Sequence, residues 1–158
     1  MKLVPVLAAL AIAAAALAAQ AADTPGSNPS AAAPTAAERL AKARKSIDAK
    51  DWNTALRELN AAAREEPRNA DVQNLLGYSY RKRASPDVLK AIGHYQAALR
   101  LDPQHKGAHE YIGEAYLMER KPAEAEKHLA ELEKICGNKD CEEYRDLAKA
   151  IAEFKARN

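Results

Sequence analysis

The chain has 158 residues, with 24 Lys and Arg against 22 Asp and Glu, and 47% of them are hydrophobic. A formal charge of +2 gives no general drive toward nucleic acid or anionic membranes, so neither is expected as a partner. The length suits one modest folded core beside terminal extensions.

Met1 to about Ala21 has the layout of a secretory signal peptide. Lys2 supplies a positive start, Leu3 to Ala19 is an apolar run, and Ala19-Gln20-Ala21 offers small residues around a cleavage point. Small polar residues follow at once, with no basic stop-transfer cluster and no cysteine for a lipid anchor. The expected mature protein begins near Ala22 and is periplasmic or secreted, from a Gram-negative bacterium, without stable membrane insertion. Residues 22–35 (ADTPGSNPSAAAPT) lack a hydrophobic period and are broken by Pro25, Gly26, Pro29 and Pro34, which reads as a flexible spacer.

From Ala36 onward the chain repeats itself. Leu76-Gly77-x-x-Tyr80 recurs as Ile112-Gly113-x-x-Tyr116, 36 residues on, and Ala55, Leu59, Ala62 and Pro67 recur at the same interval as Ala91, Tyr95, Ala98 and Pro103. A third copy, Ala125, Leu129 and Leu132, follows after 34 residues, the difference being two extra residues around Arg83 to Pro86. Each unit reads as two helices. Asp51-Trp52, Ser85-Pro86-Asp87 and Lys121-Pro122 mark the starts of the second helices, with Ser85 as the expected cap in unit two. Pro67 and Pro103 close two of them. In the last segment, Asp140 and Glu143 suggest a capping pair, and Tyr144, Leu147, Ile151 and Phe154 form one apolar face.

This pattern resembles the tetratricopeptide repeat (TPR) family: large-Gly-x-x-Tyr on helix A, then Ala, a large apolar residue, Ala and Pro on helix B. Residues 70–105 match almost fully. Residues 106–137 match with Cys136-Gly137 in place of the proline, and 36–69 match on helix B, with Ala43 and Ser46 at the glycine and tyrosine positions. The resemblance implies an all-α fold, a right-handed α-solenoid of three helix pairs, with 138–158 as a capping helix over the open end. It also explains a glycine inside a helix, which costs about 1 kcal/mol relative to alanine. Gly77 and Gly113 are expected to face the neighbouring helix B and let the two backbones approach, with Ala43 as the small substitute.

Chemistry is sparse. Cys136 and Cys141 allow a redox pair, a metal site or a disulfide, and export to an oxidising compartment favours the structural disulfide. His105 and His109 are four apart but lack a third ligand nearby, and His94 and His128 stand alone on separate helices, so solvated histidines and no metal are expected. Ser79-x-x-Lys82 matches a nucleophile motif without its companion motifs. No phosphate-binding loop, H-E-x-x-H or G-x-S-x-G occurs, so neither enzyme activity nor a cofactor is expected.

In TPR proteins the A helices line a groove that holds a peptide or helix of another protein. The positions implied here are Arg44 on the first A helix, Asp71, Asn74, Tyr78, Arg81 and Lys82 on the second, and Glu110 and Glu114 on the third, with Leu40, Ile47, Asp48, Leu117 and Met118 in the same register. Leu40, Gly107 and Tyr111 interrupt the set that binds terminal carboxylates in chaperone-tail TPR domains. The expected partner is therefore an internal segment or helix of another protein, anchored on Tyr78. A scaffold is the first reading. An accessory subunit in envelope assembly or cytochrome maturation is the alternative, and a thiol-redox protein acting through Cys136 and Cys141 is the third.

Overall fold

Seven α-helices and no strand make up the described residues, 33–158, of the computed structural model. The leader and the spacer up to residue 32 lie outside them. The helices are α1 (Ala36–Asp48), α2 (Trp52–Glu65), α3 (Ala70–Lys82), α4 (Val88–Leu101), α5 (Lys106–Met118), α6 (Pro122–Cys136) and α7 (Glu142–Arg157). None is long and apolar enough to cross a membrane.

The helix starts follow local hydrogen-bonding chemistry. Thr35 and Glu38 form a reciprocal capping box on α1, while Asp51 and Asn69 accept from the amides of Thr54 and Val72 on α2 and α3. Two expected caps are corrected. On α4 the cap is Asp87, which accepts from Lys90 N–H, not Ser85. Residues 83–86 stay outside the helix because Asp87 N–H is first tied back to the Tyr80 carbonyl at 3.0 Å. On α7 the Asp140–Glu143 pair does not form. Cys141 holds the N-cap position without a side-chain cap, and Asp140 N–H is taken by Asn138 Oδ1 at 2.8 Å.

The helices pack as consecutive antiparallel pairs, α1–α2, α3–α4 and α5–α6, and each pair leans on the next through α2–α3 and α4–α5. Small residues make this possible. Ala43, Ala55, Ala62, Ala91, Ala98 and Ala125 are all fully buried, so the repeating alanines lie inside the packed helix interfaces. Larger side chains fill three successive core clusters around Leu59 and Leu76, around Tyr95 and Ile112, and around Leu132 and Leu147.

The two helical glycines do different jobs. A Cβ at Gly77 would lie 2.6 Å from Tyr95 Cε1 and 3.0 Å from the Ala91 carbonyl, so hydrogen is needed for α4 to close on α3. At Gly113 the obstructing atoms are the Leu147 methyls of α7, 2.6 Å away, rather than helix B of its own unit. Helix α7 packs on both α5 and α6 and buries Leu147 and Ile151, so it occupies the place of an A helix in a fourth unit. Burial of two such side chains contributes about 1.5–3 kcal/mol each.

Candidate functional site

Helices α3, α5 and α7 lie side by side, and their outer faces meet in an aromatic and charged surface. Tyr78 of α3 and Tyr111 of α5 are half-buried with ring centroids 5.0 Å apart, and Trp52 lies 6.4 Å beyond Tyr78. The Arg81 guanidinium lies over both tyrosines, 5.7 and 5.4 Å from the ring centroids. It donates to Tyr95 Oη at 3.2 Å and pairs with Glu114. Arg81 is only 7% exposed, so it is the anchor of this surface rather than a free basic end. Burial pushes the Tyr111 hydroxyl up to about 12, and the Tyr95 hydroxyl higher still, so both remain neutral.

The groove residues therefore form layers. Arg44, Asp71 and Lys82 are exposed, and Tyr78 and Glu114 are half-buried. Asn74 and Glu110 are 6% and 8% exposed. Asp71 is held by Arg44 at 3.1 Å and by His105 at 3.0 Å. Asn74 Oδ1 is buried without a donor. Glu110 makes no hydrogen bond or ion pair within the described residues, and burial first, then Glu114, Asp146 and Glu143, push its carboxyl up to about 8. Leu40 and Ile47 are not on this face: both pack against the first core cluster. Their apolar character wins over their register, since α1 must cover α2 and α3.

Part of the surface was not identified from sequence. A hollow of about 280 Å³ is lined by Arg81, Glu114, Leu117 and Met118 on one side and by Ala150, Glu153, Phe154 and Arg157 of α7 on the other. A second hollow of about 290 Å³ continues along Glu114, Asp146 and Lys149. Phe154 reads as core in the amphipathic pattern, and it does pack on the third cluster, but its edge also walls the hollow. The available signal was the spacing of Ala150, Glu153 and Arg157, which places them on one helical face.

The histidines are not solvated, contrary to expectation. His105 caps α5 by accepting from Ala108 N–H at 3.1 Å. His94 stacks on Tyr80 and donates to Gln73 Oε1 at 2.9 Å. His109 is buried. Its Nε2 faces the Pro103 carbonyl at 3.0 Å and must donate, which leaves Nδ1 to accept from His128 Nδ1 at 2.9 Å. Burial, then His109, push the His128 imidazole down to about 4. His94 and His109 find partners on other helices, Gln73 of α3 and His128 of α6, so spacing within one helix did not reveal them. Ser79 is fully buried while Lys82 is exposed, so the two do not converge. Cys136 and Cys141 lie at disulfide distance with Cα atoms 6.2 Å apart, at the junction of α6 and α7.

Comparison of the sequence with protein-family models and with curated proteins gives no match. Solved structures do match. The TPR2B domain of yeast Sti1 in its pHsp70 complex aligns with a TM-score of 0.69 at 16% identity, over 78% of this chain and 98% of that one. The first TPR of Spaghetti (RPAP3) bound to the HSP90 peptide SRMEEVD gives 0.67 at 16%, over 77% and 94%. The Sgt2 TPR domain from Aspergillus fumigatus gives 0.67 at 18%, over 82% and 84%. At these identities the likeness concerns the fold.

Proposed function

On an all-α tetratricopeptide-repeat solenoid, we propose that this chain is an exported, non-enzymatic scaffold that holds an internal segment or helix of a partner protein against α3, α5 and α7. The observation that carries the reading is the surface itself. A rigid aromatic pair, Tyr78 and Tyr111, adjoins an open hollow whose floor includes Leu117 and whose rim includes Met118, 48% exposed. Rigid aromatic anchors beside a partly apolar hollow are what a partner segment can bury at low entropic cost. Two of the solved structures that share the fold are described as carrying Hsp70- or HSP90-derived partners. The interruptions at Leu40, Gly107 and Tyr111 favour an internal segment over a terminal carboxylate here.

The leader-like N-terminus supports a periplasmic or secreted location. The proximity of Cys136 and Cys141 supports a structural disulfide formed in that oxidising compartment. Photo-crosslinking residues placed at Met118 and, separately, at exposed Arg100 on α4 test the binding face in the native envelope. A discrete adduct from position 118, weakened by Tyr78→Ala combined with Asn74→Ala, is the expected result. Adducts from position 100 alone would put the partner on the opposite face.

A further inference from the structure

Two acceptors on the groove face lack donors. Asn74 and Glu110 are 36 residues apart and occupy equivalent positions of consecutive A helices. The two helices are close at this point, since Asn74 Nδ2 lies 3.4 Å from where a Cβ would stand on Gly107, one turn before Glu110. Asn74 Oδ1 is fully enclosed without a donor, and Glu110 is more than nine-tenths buried with no ion-pair partner among the described residues. The negative charges of Glu114, Asp146 and Glu143 act on Glu110 and disfavour its ionised form. Arg81, whose charge opposes this effect, is already committed to Glu114 and Tyr95. Lys149 and Arg157 line the adjoining hollows, and neither pairs with Glu110.

Resting on the scaffold reading above, we propose that Glu110 and Asn74, with Glu114 and Asp146, form a socket for a lysine or arginine side chain of the partner segment. A cationic donor meets the whole deficit at once. Its N–H groups pair with Glu110, which gives up its proton on binding, and with Asn74 Oδ1, which the entering side chain must uncover, and its charge relieves the repulsion among the acids. An anionic segment would add to that repulsion. A single metal ion does not suit the spacing: among the described residues the only His, Cys, Asp or Glu triplet with ligand atoms within 4.8 Å is Cys136, Cys141 and Glu143. Neighbouring apolar side chains of the segment would then lie on Leu117, Met118 and Phe154.

Two-dimensional NMR of the mature protein titrated with L-arginine amide, with its citrulline counterpart and with Ca²⁺ tests the socket. Arginine amide is expected to shift the Asn74 side-chain amide and the Glu110 backbone amide. Citrulline amide should need at least about ten-fold more ligand for the same shift, because it keeps the shape and loses the charge. Glu110→Gln should abolish the arginine response while leaving the rest of the spectrum in place. No shift at millimolar arginine amide, equal responses to arginine and citrulline, or a response to Ca²⁺ alone would overturn the proposal. The scaffold reading fails separately. An envelope adduct from position 118 that persists in Glu110→Gln, with a crosslinked segment free of Lys and Arg, removes the socket and leaves the scaffold standing.

Discussion

Glu110 and His128 show how single ionisable groups depart from their ordinary behaviour when the neighbouring helices close on them. The Glu110 carboxyl is raised from 4.5 to about 8 by burial, then by Glu114, Asp146 and Glu143, with Arg81 opposing. The folded state therefore keeps its proton where the unfolded chain has released it, and this contribution to stability is lost as pH rises through about 8. Glu110→Gln should melt above the parent at pH 9, and the gap should shrink toward pH 5. Thermal scans at the two pH values check this, and a gap that widens at low pH contradicts it. His128 has the opposite sign. Its folded value lies near 4, below the ordinary 6.5, so stability falls as pH drops through that interval, where only the unfolded chain gains the proton. His109, Glu124, Glu131 and Lys127 are the neighbouring groups that bear on it. His128→Gln should flatten the fall in melting temperature between pH 6.5 and 4.5, and an unchanged slope would show that another group controls it. Neither shift was legible in the sequence. Glu110 falls on a helix face that reads as solvated, and the ring that His128 meets, His109, comes from the preceding helix.

At the scale of helices, the Gly-x-x-Tyr and alanine spacings were legible because a helix pair needs small residues wherever its backbones approach. The partner of each glycine was less legible, since it depends on which helix arrives next. Gly77 meets a buried aromatic ring and a backbone carbonyl, whereas the nearest atoms to Gly113 all belong to the Leu147 side chain. Gly77→Ala is thus expected to cost about 1–3 kcal/mol, the range for overpacking, and Gly113→Ala less, because a leucine side chain can shift more readily than a carbonyl. Urea unfolding of the two variants gives the order, and equal or reversed costs would mean that α4 and α7 are not seated as described. The junction of α6 and α7 offers another check. If Cys136 and Cys141 are bonded in the exported protein, replacing both by serine should cost about 2 kcal/mol in the chain-entropy account of so short a loop. Helical content by circular dichroism should remain. Unchanged stability would remove the structural role and favour a redox one.

Across the whole molecule, the repeat period determines which faces are spent on packing and which remain for a partner. The B helices join pair to pair, and α7 covers α5 and α6 as a further A helix would. The solenoid was legible because two helices per unit match in register across successive copies. The binding surface was only partly legible. Tyr78 and Glu114 stand on it, Arg81 and Asn74 are built into it, and its wall on α7 lies in a segment that reads as a simple cap. The most direct test of a partner held by the A helices is amide hydrogen exchange of the mature protein, alone and with the partner captured at position 118. Slowed exchange confined to α3, α5 and α7, centred on Tyr78, Glu110 and Phe154, is the predicted result. Protection of α2, α4 and α6 with α3, α5 and α7 unchanged would contradict it.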